Sequence, residues 1–239
     1  GTVKSLPCSV EDFVFTTNNT GDLGISFDQA KKVYAGYNTL FGEVTWYYPK
    51  SGSSHIDRNV SFNYIENTWT TGSLARTTYY DAQLFDHPYA TEYIANGTPT
   101  FPTIKGVTAA NGSSFFYEHE KGVDQVNTAG TTAILANVQS GDFQLAVDGN
   151  GEFFTKIRRF IPDFKRITGN AQVTINLKDF PVDTAASSPL GPFTVSSSTE
   201  KVDTRARGRA ASLKIENTSS GQSWRYGTFR ADVQPDGRR

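Results

Sequence analysis

Residues 44–70 read VTWYYPKSGSSHIDRNVSFNYIENTWT, and this stretch indicates the fold class of the chain. Apolar side chains recur at every second position in two runs, 44–48 and 60–64, and a third short run follows at 68–70. A repeat of two is typical of a β-strand with one buried face. Turn-forming residues separate the runs, because Pro, Gly and Asn favour tight bends. The stretch therefore predicts consecutive antiparallel hairpins.

Similar short runs recur along the chain at intervals of roughly 8–12 residues, which is typical of an all-β sandwich, barrel or propeller. They cover residues 114–118, 143–147, 152–157, 173–177, 193–195, 211–216 and 224–233. Asp148-Gly149-Asn150-Gly151 is predicted to be a hairpin turn. Single helical turns are predicted only at 28–32 and 131–138, because no long segment has apolar residues at helical spacing. A domain boundary is predicted near 165–170, and a flexible stretch is predicted at 183–192.

Composition limits the class of protein. The 239 residues are 37% hydrophobic and 20% charged, with a net charge of −1, which excludes bulk disorder. No apolar run approaches the roughly 20 residues that cross a bilayer, and no secretory leader is visible. Cys8 is the only cysteine, so an intrachain disulfide and a cysteine-based zinc site are excluded. Because the chain contains no Met, we expect a processed product or a piece of a longer protein.

The charge is distributed unevenly along the chain. Residues 1–120 carry a net charge of −5, residues 121–200 carry −1, and residues 201–239 carry +5. A basic C-terminal region is compatible with nucleic acid, with an acidic partner or with specific ion pairs.

Alternating arginines are the most informative candidate residues. In an extended strand, Arg205, Arg207 and Arg209 share one face and only Ala and Gly lie on the other. Such a ladder repels itself unless carboxylates, phosphates or a partner chain compensate it. The small face predicts that another backbone or sheet approaches closely. With Arg225 and Arg230, these residues are predicted to form an assembly interface or a DNA-channel wall, and a solvated basic face is the alternative.

The other chemical motifs do not predict a catalytic, cofactor or metal site. In a strand, Glu118 and Glu120 point to one side and His119 to the other, so the three predict a strand end rather than a metal centre. The segment from Asp148 lacks the Gly and Glu of a calcium loop, since Phe153 and Arg159 occupy those positions. No nucleophile elbow, phosphate-binding loop or dinucleotide fingerprint is present. We therefore expect that the protein binds no cofactor and is not an enzyme.

Ten segments carry a resemblance to a known family. They are Phe41–Pro49, Asp57–Val60, Asn63-Tyr64, Trp69, Gly72–Thr77, Tyr117–Gly122, Arg159–Phe164, Thr204–Arg209, Trp224–Gly227 and Asp236–Arg239. In this order they resemble virion structural proteins of tailed phages with short tails, over about residues 8–239. Proteins of this kind look like tail hub or nozzle components, and they are similar to packaged-DNA stabilisation proteins and lower tail tubular proteins.

The resemblance implies a fold, an assembly and a location. It implies β-propeller-like blades of antiparallel hairpins in residues 1–165, followed by a smaller C-terminal β-sheet region with basic strands in residues 166–239. It also implies a ring of identical copies, often a hexamer, through which DNA leaves the virion. The expected partners are sister copies, other tail proteins and genomic DNA in transient, non-specific contact. Such proteins are made in the host cytoplasm, lie in the virion tail, and have no catalytic residues to carry over.

Two alternatives stay open. A carbohydrate-binding or carbohydrate-active β protein would use Tyr47, Tyr48, Tyr79 and Tyr80 to stack on sugar rings, although packing in a core also explains these tyrosines. The other alternative is a β-sandwich adhesion domain.

Overall fold

The computed structural model describes residues 5–16, 24–97, 108–127, 130–145, 153–180 and 188–237. Strands make up 54% and helices 6% of the described residues, and the sheets are antiparallel, so the predicted all-β class is confirmed. The chain divides into two compact units. Unit 1 comprises Gly1–Gly122 and Asn127–Gly130, and unit 2 comprises Val123–Val126 and Thr131–Arg239.

Unit 1 begins with two short helices and a four-stranded sheet. The elements are α1 (Glu11–Phe15), a 3-10 helix (Phe27–Lys32), β1 (Tyr34–Asn38), β2 (Glu43–Tyr48), β3 (Arg58–Asn63) and β4 (Thr68–Gly72). The strands pair in chain order, which confirms the hairpins predicted from residues 44–70. The helical turn predicted at 28–32 is confirmed, whereas α1 was missed because five residues are too few for a helical repeat.

The four-stranded sheet packs its apolar side chains against the N-terminal segment. Val14 of α1 is buried with Tyr48 and Val60, and the rings of Trp46 and Trp69 stack with centroids 5.9 Å apart beside them. These are the alternating apolar positions of the opening stretch, so its period of two places them on buried faces.

A second, three-stranded sheet completes the regular structure of unit 1. Its strands are β5 (Thr78–Tyr80), β6 (Tyr89–Ile94) and β7 (Ser113–Glu118), in the order β5-β6-β7. In β6 the buried residues Ala90, Glu92 and Ile94 alternate with more exposed ones. One buried face therefore contains a carboxylate among apolar side chains.

Unit 2 consists mainly of two sheets. Its strands after the hairpin of β8 (Asp124–Asn127) and β9 (Gly130–Ala133) are β10 (Asn137–Gln139), β11 (Phe143–Gln144), β12 (Thr155–Thr168), β13 (Ala171–Lys178), β14 (Ser188–Val195), β15 (Val202–Gly208), β16 (Ala210–Glu216) and β17 (Ser223–Pro235). One sheet has the order β10-β16-β13-β14, with β11 also on β16, and the other has the order β15-β12-β17. The helical turn predicted at 131–138 is wrong, because strand residues occupy both ends of that segment.

The two sheets of unit 2 share one hydrophobic core. Ile157, Phe160 and Ala206 of the β15-β12-β17 sheet are in one cluster with Ile175 and Ile215 of the other sheet, and all five are 0–1% exposed. Two sheets that bury their inner faces together form a sandwich. The predicted close approach at the small face of β15 is confirmed, because a Cβ on Gly208 would lie 3.3 Å from Leu177 Cβ.

The predicted boundary between residues 165 and 166 falls inside β12, which pairs with β17 on both sides of that point. The register of β12 with β17 is irregular near Pro162 and Phe164, but the pairing continues to Thr168. Gly169, with φ of +68°, only turns the chain from β12 into β13. The compact units instead separate around Gly122.

Several other expectations have mixed outcomes. The last strand, predicted at 224–233, is confirmed as β17. The turn at 148–151 lies outside the described residues, and so does part of the stretch 183–192, whose remainder belongs to β14. No propeller is detected in the described part of the chain, so that arrangement stays a prediction. No described helix combines the length and apolar character that a bilayer crossing requires.

Candidate functional site

The face of the β15-β12-β17 sheet that points away from the core is rich in cations, and we call it the basic face. Ile157 and Ala206 are opposite one another in the register and buried, so Lys156 and Arg207, also opposite one another, point outward. Alternation along a strand thus separates the apolar side chains from the charged ones.

The predicted arginine ladder is present only in part. Arg205 and Arg207 lie on β15 and are exposed on the basic face. Arg209 lies between β15 and β16, where the chain passes from one sheet to the other. Its guanidinium lies 4.6 Å from the ring centroid of Phe154 and 5.2 Å from that of Phe180. Arg209 therefore packs on aromatic rings at the corner of the sandwich, and the Arg207 guanidinium lies over the same Phe154 ring, 4.0 Å from its centroid.

Carboxylates within the same sheet compensate some of the outer arginines. Arg207 Nε lies 2.6 Å from Asp236 Oδ2, and Arg230 Nε lies 3.0 Å from Asp163 Oδ2. A third pair joins Arg159 Nε and Asp232 Oδ2 at 3.4 Å. Exposed pairs of this kind contribute about 0–1 kcal/mol each, so their main effect is to neutralise charge locally.

Other cations of the sheet have no counter-ion in the part of the chain that the structure describes. Six exposed cations on its three strands form no ion pair with any described residue: Lys156, Arg158, Lys165, Arg166, Arg205 and Arg225. Two of the predicted residues, Arg205 and Arg225, belong to this set. Arg166 was not among the predicted residues, because its position opposite Arg225 becomes visible only with the register.

The two units carry opposite net charge. Unit 1 has eight Lys and Arg against twelve Asp and Glu, a net charge of −4. Unit 2 has fifteen against twelve, a net charge of +3. The charge gradient along the sequence therefore coincides with the division of the fold.

A second cluster of charged side chains is buried in unit 1. The side chains of Arg76 and Glu92 are 3% and 1% exposed, with Arg76 Nη1 3.6 Å from Glu92 Oε2. Tyr117 Oη donates to the same carboxylate oxygen at 2.7 Å, and Arg76 Nε donates to His119 Nε2 at 2.9 Å. The Arg76 guanidinium also lies 3.8 Å above the Tyr117 ring. We call these four residues the Arg76 network.

The Arg76 network joins segments that are distant in the sequence. It connects the segment before β5 with β6 and the end of β7, and Tyr34 of β1 donates to the Arg76 carbonyl oxygen at 2.9 Å. The donors and acceptors are directed at one another, which makes the network a structural clamp. The sequence did contain a signal for the burial of Glu92, because this residue shares its strand face with Ala90 and Ile94. Nothing in the sequence around Arg76 indicated burial.

Burial lowers the pKa of His119 to about 4 together with the nearby Arg76 charge, because both disfavour a positive charge on the imidazole. The Arg76 N–H requires an unprotonated Nε2 as acceptor, so His119 is neutral with its proton on Nδ1. Burial and the hydrogen bond to Glu92 raise the pKa of Tyr117, which therefore stays protonated as a donor.

His119 is expected to make unit 1 less stable in mild acid. The unfolded chain protonates this histidine near pH 6.5, whereas the folded chain resists protonation down to about pH 4. Its contribution is therefore complete above pH 6.5 and is lost as pH falls to 4, by up to about 3 kcal/mol. Urea unfolding across this range measures it. His119→Gln should flatten the profile, while His87→Gln, outside the Arg76 network, should not. Equal slopes for all three proteins would contradict the assignment.

The structure confirms the strand end predicted at Glu118-His119-Glu120. β7 ends at Glu118, whose Oε2 accepts from Lys121 Nζ at 2.8 Å on the exposed side. His119 turns inward to Arg76, and Glu120 accepts from Asn38. No group of metal-binding side chains is found among the described residues.

Most of the tyrosines considered for sugar stacking are used within unit 1. Tyr47 and Tyr48 are each 2% exposed. Tyr79 lies against Tyr47 with ring centroids 6.1 Å apart, and only Tyr80, at 46%, is exposed. Packing within the fold therefore accounts for three of the four rings.

No protein-family model matches the chain, and the search of curated proteins returned no match either. The functional conclusion therefore depends on the geometry and on the resemblance of the sequence segments.

Proposed function

We propose that the protein is a non-enzymatic structural component of the tail of a short-tailed phage, in a hub or nozzle ring around the DNA exit channel. The observation that carries the proposal is the set of six cations on the β15-β12-β17 sheet that form no ion pair with a described residue. Uncompensated like charges repel one another, so this surface favours an anionic partner outside the chain.

Opposite charges on the two units support assembly from identical copies. A head-to-tail contact brings different surfaces of two copies together and closes into a ring when the rotation permits. With unit 1 at −4 and unit 2 at +3, such a contact brings together surfaces of opposite sign. A face-to-face contact between two basic faces would be repulsive.

The predicted propeller-like blades are part of the same proposal. The sheet β1-β2-β3-β4 has four antiparallel strands in chain order, which is the composition of one propeller blade. We propose that unit 1 supplies blade-like sheets to a propeller-like region of the tail component.

Assembly is expected to produce a ring that dissociates as salt is added, because exposed charges are screened within about 8–10 Å at moderate ionic strength. Light scattering measures the mass at low and high salt, and electron microscopy shows whether a central hole is present. Mass spectrometry of purified virions tests the location. A monomer under all conditions, absent from virions, would contradict the proposal.

Charge variants sharpen the test of the assembly. Arg158→Glu with Arg205→Glu should lower the mass of the assembled particle at low salt. Both cations lie at the β12/β15 register irregularity, and neither forms an ion pair with a described residue. Lys31→Glu with Lys32→Glu makes the same change in net charge on acidic unit 1 and should not weaken assembly. Equal weakening by both pairs would argue against a specific contact of the basic face.

A further inference from the structure

Two cross-strand rows at one end of the basic face present four polar side chains. Arg166 is directly opposite Arg225, and two positions further Thr168 is opposite Ser223. The row between them, Ile167 and Trp224, packs against the core of unit 2. Alternation therefore places both arginines and both hydroxyls on the same outer face.

None of these four side chains is engaged by a described residue. Neither arginine forms an ion pair, and neither the Thr168 nor the Ser223 hydroxyl makes a hydrogen bond within the described part of the chain. By contrast, Arg207 and Arg230 of the same sheet each contact a carboxylate. The sheet thus contains carboxylates for other arginines and leaves this pair without one.

Like charges directly opposite one another destabilise a sheet, and their Cβ atoms lie about 4.5–5.5 Å apart. Arginines whose Cβ atoms lie that close can both reach one tetrahedral anion, since each guanidinium presents a planar fork of donors that matches phosphate oxygens. Hydroxyl groups one row away supply further donors. We propose that Arg166, Arg225, Thr168 and Ser223 form a binding site for a phosphoryl group of the DNA backbone.

The position of the other uncompensated cations favours a polymer over a small anion. Lys156 and Arg158 lie at the opposite end of β12, which places them roughly 25–33 Å from Arg166 at about 3.3 Å per residue. One DNA strand carries a phosphate about every 3.4 Å, so a single duplex can contact both ends. The choice of DNA as occupant rests on the proposed function, whereas the phosphoryl chemistry rests on the four side chains.

The inference is tested with the full chain and a fluorescent duplex DNA of arbitrary sequence. Arg166→Ala with Arg225→Ala should weaken binding at low salt by about 10-fold, because both charged contacts to the bound phosphoryl group are lost. The slope of log K against log salt should fall in magnitude by about 1, at roughly 0.9 per phosphate. Lys31→Ala with Lys32→Ala removes the same net charge from unit 1 and should change affinity by less than about two-fold.

The competing outcomes overturn the inference in different ways. Equal losses for the two double variants would show a non-specific charge effect. If the loss of Arg166 and Arg225 weakened the binding of polyglutamate more than the binding of DNA, the site would be assigned to an acidic protein partner. Inorganic phosphate that displaces DNA at equal phosphate concentration would assign it to the free anion.

These results are distinguishable from those for the proposed function. A ring that assembles while DNA binding is insensitive to Arg166→Ala and Arg225→Ala overturns only the phosphoryl site. A monomer that binds DNA through both arginines overturns the ring and keeps the site.

Discussion

Glu92→Ala is expected to lower the free energy of unfolding of unit 1 by about 3–5 kcal/mol. The change removes the carboxylate beside the Arg76 guanidinium, whose side chain is 3% exposed, and leaves that charge buried without its ion-pair partner. It also removes the acceptor of the Tyr117 hydroxyl. A buried charge and a buried donor that lose their partners each carry a desolvation penalty that water cannot offset.

Urea unfolding followed by tryptophan fluorescence measures the loss, because Trp46 and Trp69 report on unit 1. Glu118→Ala is the matched control, since it removes a carboxylate from an exposed pair with Lys121 and should cost at most about 1 kcal/mol. Glu92→Gln keeps an acceptor for Tyr117 and leaves the Arg76 charge unpaired, so it should retain most of the loss. Equal stabilities of the Glu92→Ala and Glu118→Ala proteins would refute the clamp.

Phe160→Ala is expected to destabilise unit 2 by about 3–5 kcal/mol, because it removes a fully buried ring between the two sheets. The Phe160 ring contacts Phe193 of the opposite sheet and Phe229 of the neighbouring strand, with centroids 5.7 Å and 6.3 Å away. The loss combines the transfer energy of the ring with the cavity that the rigid sheets leave.

The adjacent residue on β12 is a matched control for this prediction. Ile161 points to the outer face and is 46% exposed, so Ile161→Ala should change the stability by no more than about 0.5 kcal/mol. Thermal unfolding monitored by circular dichroism compares the two variants with the original protein. If Ile161→Ala were as destabilising as Phe160→Ala, the assignment of inner and outer faces on β12 would be wrong.

The hairpins of unit 1 could be predicted because their signal is local. Alternation in 44–48 and 60–64 corresponds to β2 and β3, and the turn residues between them end each strand. The same logic identified β17 and the strand end at Glu118. It failed at 131–138, because short segments without a clear period fit a helix and a strand equally well.

The candidate site was predictable as a list of arginines but not as an arrangement. Arg205 and Arg207 are exposed on one strand, as alternation predicts. Arg209 lies beyond the end of β15, where the chain changes sheets, and Arg207 meets Asp236 across 29 residues of sequence. The Arg166–Arg225 row depends on two register irregularities between Ile157 and Phe164 and a third between Phe164 and Arg166. Each irregularity shifts which residues are opposite, and residue types alone do not specify it.

Local alternation and turn chemistry already establish an all-β chain of antiparallel hairpins, with acidic side chains concentrated early and basic ones late. Folding determines the rest: the division near Gly122, the burial of Arg76 with Glu92, and the separation of outer arginines into those with and without a carboxylate. The physical reason is range. A strand's period is set by neighbours two residues apart, whereas a charge finds its counter-ion through sheet order and register, which depend on the packing of the whole unit.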